Sequence, residues 1–249
     1  MLNFLVIAPH PDDAEIFCGG TLALIASRNQ STGIIDLTQG EMGTRGSVEL
    51  RKKEAAEASR ILGIKARENL SLPDCGIDAH KEEHVHALVR AIRKLNPEII
   101  AIPDRHDRHP DHTAAYELCY RAVFFAGLKN YGPTLGQPIA PPTVLIYQLR
   151  EDMNPSFVVD VSAQYQKKCE AVRAYASQVG LSNQGEGVTL FGSQLSLSSL
   201  EARDAFLGAK IGVPFGEAFS SPATIAIKDP VDHFARNPNK MSLYFPRHK

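Results

Sequence analysis

Hydrophobic and polar positions along the first 150 residues alternate between two periods. Short apolar runs read as buried strands, and longer stretches between them carry a helical stripe. Leu5, Val6, Ile7 and Ala8 close a strand over 3–8, after which Pro9 and Pro11 stop ladder pairing and stiffen the turn. The pair Gly19-Gly20 precedes Thr21-Leu22-Ala23-Leu24-Ile25-Ala26, read as a buried helix whose N-terminus points back at the loop around His10. A second strand over 33–38 runs into a loop with glycines at 40, 43 and 46. Ser47 is a plausible N-cap for a helix over 48–62, with Leu50, Ala55, Ala58, Ile61 and Leu62 as its apolar stripe and Gly63 as its stop.

A third strand over 67–72, a helix over 81–95, a fourth strand over 98–102 bounded by Pro103 and a helix over 111–127 continue the alternation. A loop rich in Gly and Pro fills 129–142. Strands over 143–148 and 157–161 follow, then a helix over 162–176 with Val172 and Tyr175 inward. The polar, glycine-rich stretch 180–192 suits a mobile loop, and a last helix covers 195–211. The tail over 220–249 has little periodicity and stays unassigned. The pattern predicts one α/β domain over 1–249, doubly wound about a mostly parallel sheet.

Composition narrows the function classes. The chain has 249 residues and a net charge of −1, so bulk electrostatics gives no reason to expect a nucleic-acid partner. Met1-Leu2-Asn3-Phe4 runs into a strand without a basic n-region, so no signal peptide is expected, and no apolar run nears the roughly 18 residues of a membrane span. Cys18, Cys75, Cys119 and Cys169 are widely spaced, which fits a reduced, cytoplasmic protein.

Two dense stretches carry the candidate chemistry. His10-Pro11-Asp12-Asp13 follows the first strand, and His106-Asp107-Arg108-His109-Pro110-Asp111-His112 follows the fourth. Both therefore lie at the carboxyl ends of strands, where open α/β sheets place ligands. Taken singly, Asp12 or Asp13 could be a helix N-cap, and the histidines a solvated loop. Taken together they read as halves of one metal site. His10, Asp13 and His112 give two imidazoles and a carboxylate, a set suited to catalytic zinc and also to ferrous iron. Asp12 is then free to act as general base, His109 to donate a proton or stabilise an oxyanion, and Asp111 to orient and charge His109. The sum is metal-assisted hydrolysis of a carbonyl. A metal-stabilised sugar-binding module without turnover is the alternative; a two-metal phosphoesterase would want more bridging carboxylates. Arg45, Arg51, Arg105 and Arg108 lie on or just past these loops and suit an anionic or hydroxyl-rich substrate. His80, His84 and His86 form another cluster, read as surface.

Ala8-Pro9-His10-Pro11-Asp12-Asp13 and His109-Pro110-Asp111-His112 resemble the paired signatures of the LmbE-like, or PIG-L, metal-dependent N-acetylglucosamine deacetylases. The stretch from Asp36 to Gly46, Glu49-Leu50-Arg51, Glu54-Ala55, Ala174-Tyr175-Ala176-Ser177-Gln178 and the run from Gly212 to Phe219 resemble the branch that makes bacillithiol. The resemblance implies a Rossmann-like fold and zinc on His10, Asp13 and His112. It implies Asp12 as base, with His109 assisted by Asp111. It also implies Arg51 on sugar hydroxyls, Arg108 as a candidate for malate carboxylates, and a homo-oligomer, trimer or hexamer. The substrate it implies is a small amino-sugar conjugate, N-acetylglucosaminyl malate, cleaved to glucosaminyl malate and acetate. Some members bring a tyrosine towards the metal. Here no tyrosine precedes His109 and none lies between Val179 and Ser242, which leaves oxyanion stabilisation to the metal and His109.

Overall fold

A computed structural model describes residues 1–150, 153–179, 197–229, 231 and 233. Seven strands form one sheet in the order β3-β2-β1-β4-β5-β7-β6. They are β1 (Leu2–Ala8), β2 (Thr32–Thr38), β3 (Ala66–Leu72), β4 (Pro97–Pro103), β5 (Thr143–Tyr147), β6 (Phe157–Asp160) and β7 (Gly216–Ser220). All run parallel except β7, which pairs antiparallel with both β5 and β6. The helices are α1 (Asp13–Ser27), α2 (Val48–Leu62), α3 (Glu82–Leu95), α4 (Pro110–Ala126), α5 (Tyr165–Ala174) and α6 (Leu197–Ala209). None among the described residues is long and apolar enough to cross a membrane.

The sheet is covered on both faces, which is why its central strands are continuously apolar. In β1, Leu5 and Ile7 face α3 and α4, packing with Leu88, Ile92 and Leu118. Phe4, Val6 and Ala8 face the other way, onto Phe17, Leu22, Leu62 and Val172 of α1, α2 and α5. This period of two through a run without polar breaks places β1 at the centre. Chain order reverses between β1 and β4, so the loops leaving these two strands diverge and open a crevice. The two charged stretches flank that crevice.

Several expectations need correction. Helix α1 begins at Asp13, so Gly19 and Gly20 lie in its middle. A Cβ on Gly20 would stand 2.6 Å from Val161 Cβ, so the glycine admits a neighbour instead of starting a helix. In α2, Leu50 is exposed, and the buried side is Arg51, Glu54, Ala55, Ala58 and Leu62. The helix expected over 162–176 is a 3-10 turn, Ser162–Gln164, followed by α5. Strand β7 falls where no strand is expected, up to the start of the unassigned tail. His84 is buried, its Nδ1 accepting the Asp78 N–H at 3.2 Å, so it is no surface residue. The loop 180–192 lies outside the described residues.

Candidate metal centre

Each half of the site is built by a strand end handing over to a helix start. After β1, Thr38 ties the turn down: its N–H and its hydroxyl both donate to Pro9 O at 3.1 Å. Asp12 occupies the N-cap position of α1 with φ at 115°, a conformation that costs a residue with a Cβ on the order of 1–3 kcal/mol. Its carboxylate makes no capping hydrogen bond, so the helix start does not consume it. After β4, His109 is the N-cap of α4, Pro110 takes the first helical position and Asp111 sits in the first turn, each suited to a helix N-terminus. One turn of helix then returns His112 towards the crevice.

The two halves meet. Asp13 Oδ2 lies 3.2 Å from His10 Nδ1 and 3.3 Å from His112 Nε2. One donor atom from each of the three residues lies within 4.8 Å of the others, and all three residues are buried. Both imidazoles turn their far nitrogens to carboxylates. His10 Nε2 is 3.1 Å from Asp74 Oδ1 and 3.3 Å from Asp111 Oδ2, and His112 Nδ1 is 3.3 Å from Asp107 Oδ2. A carboxylate behind an imidazole fixes its ring and tautomer, as in carboxylate–histidine–metal arrangements.

Burial by itself would lower the imidazole pKa of His10, but hydrogen bonds to Asp111, Asp13 and Asp74 carry it well above its usual value. Against the same opposing burial, His112 is pushed up to about 9 by Asp13 and Asp107. Burial opposes ionisation of Asp13, yet His112 and His10 hold its carboxyl well below the usual range. The crevice is thus a knot of carboxylates that draws positive charge. Its nitrogen and oxygen donors fit a divalent cation, which would take the place of the imidazolium protons. The donor set suits zinc and ferrous iron alike.

Beside this set lies Asp12. Burial raises its carboxyl to about 7, while the Arg51 guanidinium, with Nη2 3.6 Å from Oδ2, pulls the other way. His109 stacks on His112 with centroids 4.9 Å apart. Its pKa is lowered by burial and by the neighbouring His10 and His112, so it is neutral at pH 7. Its Nδ1 accepts the Asp111 N–H at 3.2 Å, which assigns the proton to Nε2 and makes that nitrogen a donor. It is thus the main chain of Asp111 that orients His109. The carboxylate of Asp111 accepts from Cys75 N at 2.7 Å and Ile77 N at 3.4 Å, besides standing against His10.

The arginines divide. Arg51 is buried, and its guanidinium donates to Gly40 O at 3.1 Å and to Pro11 O at 2.6 Å. It bridges the β1 and β2 loops, and Gly40, at φ 67°, leaves it the space, because a Cβ there would overlap Nη1. Arg108 is exposed on the rim. Sequence reasoning missed Asp74 and Asp107. Asp107 was visible only as one charge among seven residues, and Asp74 lies alone in the loop after β3. The main-chain N–H of Met42 donates to Asp74 Oδ2 at 2.8 Å, which fastens the glycine-rich loop to the rim.

The family model described as PIG-L, GlcNAc-PI de-N-acetylase, matches residues 5–123, which include both motifs. Diacetylchitobiose deacetylase of Thermococcus kodakarensis is 34% identical over 185 residues, 70% of this chain and 69% of that one. A probable N-acetyl-α-D-glucosaminyl L-malate deacetylase 2 of Bacillus anthracis is 28% identical over 189 residues, 71% of this chain and 81% of that one. The crystal structure of a conserved protein from Thermus thermophilus superposes with a TM-score of 0.80 at 40% identity, over 92% of this chain and 98% of that one. The chain belongs to the PIG-L/LmbE-like family of deacetylases, amidohydrolases of N-acetylglucosamine groups.

Proposed function

We propose that this chain hydrolyses the acetamide of N-acetylglucosaminyl malate, releasing acetate and glucosaminyl malate, as a step towards bacillithiol. The observation that carries the reading is the convergence of His10, Asp13 and His112 with a carboxylate, Asp12, that neither the helix start nor the donor set consumes. A cation held by His10, Asp13 and His112, zinc in the first instance and ferrous iron as alternative, would polarise the acetyl carbonyl and acidify a water. Asp12 takes the proton from that water as it attacks. His109, whose Nδ1 accepts the Asp111 N–H, donates a hydrogen bond from Nε2–H to the developing oxyanion, and the proton that Asp12 took from the water passes to the leaving amine. Asp111 holds His109 through its N–H. Arg51 fixes the two loops against which the sugar rests and stays next to Asp12, and Arg108 on the rim meets the malate carboxylates.

The malate conjugate is favoured over a chito-oligosaccharide by the exposed cations Arg105 and Arg108 on the β4 loop, which suit its carboxylates. The relative from Thermococcus supports the competing substrate. A cytoplasmic homo-oligomer, trimer or hexamer, without nucleic-acid or membrane partners, is part of the same reading. Acetate release from N-acetylglucosaminyl malate, N,N'-diacetylchitobiose and free N-acetylglucosamine decides it. The proposal expects the malate conjugate to give the highest kcat/KM by at least tenfold. A preference for diacetylchitobiose would overturn the substrate, and release from none of the three would overturn the reaction.

A further inference from the structure

Two features prominent in the sequence play no part in the chemistry above: Gly19-Gly20 and the strand Gly216-Glu217-Ala218-Phe219. They meet in the interior. The Gly20 N–H donates to Glu217 Oε1 at 2.9 Å and the Thr21 N–H to Glu217 Oε2 at 2.7 Å. Both are mid-helix groups of α1, where an N–H ordinarily bonds the carbonyl four residues back. The carbonyl four before Gly20 is that of Ile16, and it accepts from Arg203 Nη2 at 2.7 Å. A carboxylate on successive N–H groups and a guanidinium on a carbonyl are the partners of helix ends, placed here in the middle of a helix.

The clamp is neutral and deeply buried. Lys168 Nζ lies 2.6 Å from Glu217 Oε1 and 2.7 Å from Asp204 Oδ2, and Arg203 Nη2 lies 2.8 Å from Asp204 Oδ1. The Lys168, Asp204 and Glu217 side chains are essentially inaccessible. The glycines make room: a Cβ on Gly19 would come within 3.1 Å of Lys168 Cγ. Burying Lys168, Asp204 and Glu217 beneath a partly exposed Arg203 is a poor way to hold a helix on a sheet, since apolar residues of similar volume do so at no desolvation cost. What an ionic clamp adds is a unique geometry.

We propose that Glu217 and Arg203, backed by Lys168 and Asp204, are positioning residues for the deacetylase site. They set the direction of the first half of α1, which carries Asp13 into the donor set and Asp12 beside it. Gly20 is seven residues from Asp13, about 10 Å along a helix. A tilt of about 6° at the clamp moves Asp13 by about 1 Å, a misplacement that can cost on the order of 100-fold in rate. The proposal rests on the function proposed above for the site's residues. Its test separates the two.

The test compares the full-length parent with R203M, E217Q and L88A, all loaded with cobalt(II). R203M keeps an apolar side chain of similar length but removes the guanidinium, both from its place 4.8 Å over the Phe17 ring and from the Ile16 carbonyl. E217Q puts an NH2 against one of two N–H donors. Leu88 lies in the core on the opposite face of the sheet, so L88A controls for lost stability alone. The expected result is that R203M and E217Q shift the visible cobalt bands and weaken cobalt binding at least fivefold. They also lower kcat at least tenfold with KM within twofold, whereas L88A moves none of these. If E217Q does not fold, R203M decides. A folded R203M with cobalt bands and kcat matching the parent would overturn the proposal, as would equal changes in L88A. Cobalt uptake by the parent without acetate release would overturn the function, and the spectra would still judge the clamp. No uptake by the parent would overturn both.

Discussion

Asp107 offers the sharpest quantitative prediction. Its carboxylate does two jobs. Oδ2 stands 3.3 Å behind His112 Nδ1, and Oδ1 accepts the His109 N–H at 2.8 Å. The side chain is inaccessible to solvent, and the His112 and His109 contacts overcome burial to hold its pKa below the usual range, so it stays ionised. Removing a carboxylate behind a ligating imidazole typically costs 10- to 100-fold in metal affinity or activity, about 1.4–2.7 kcal/mol. D107N keeps an oxygen for the His109 N–H but removes the charge, so it should weaken zinc about tenfold and leave kcat, at saturating zinc, within a few-fold. D107A loses both contacts. It should weaken zinc towards the 100-fold end and lower kcat at least tenfold further, because His109 loses its main-chain anchor. Zinc competition against a chromogenic chelator gives the first number, and initial rates at saturating zinc the second. If D107A kept zinc affinity and kcat within twofold of the parent, the orienting role would be wrong.

Other substitutions separate the remaining roles. D12N should retain one zinc per chain and lose 10²- to 10⁴-fold in kcat, the usual worth of a general base; a loss below fivefold would remove Asp12 from that role. R51K should raise amide exchange across 40–46, because an ammonium cannot span Gly40 O and Pro11 O together; a rise in KM with unchanged exchange would instead make Arg51 a sugar ligand alone. G20A forces a Cβ to 2.6 Å from Val161 and should cost about 1–3 kcal/mol, lowering Tm by about 3–10 °C; an unchanged melt would contradict the close approach. Zinc at 100 times its Kd should stabilise the apo protein by about 2.7 kcal/mol, raising Tm by about 5–10 °C, and excess chelator should reverse the shift.

The sequence showed most clearly the features whose causes are local. The run Leu5-Val6-Ile7-Ala8, the Ser47 cap that accepts from Leu50 N–H and the Gly63 stop at φ 76° are each decided within a few residues. Strand β7 was hidden because it is short and holds Glu217, a charge that reads as surface until Lys168 is brought 2.6 Å away from a position 49 residues earlier. His84 was misread for a related reason: the partner that satisfies it is a main-chain N–H, which leaves no trace in residue type. Arg51 stood out as a substrate ligand, but not as a brace, because the two carbonyls it bonds are main-chain groups on loops of different strands. The candidate donor residues stood out because two histidine and aspartate clusters followed two strand ends. Of the carboxylates behind them, Asp74 and Asp107 did not, since Asp107 gains its role only once α4 turns His112 back onto it.

Hydrolysis at the His10–Asp13–His112 set, with Asp12 beside it, stands or falls on metal dependence. The most direct measurement is acetate release from N-acetylglucosaminyl malate by the metal-stripped protein as zinc is added back. The expected result is no release without metal, a linear rise to a plateau at one zinc per chain, and the same zinc stoichiometry without turnover in D12N. Release by the stripped protein, or full turnover in D12N, would contradict it.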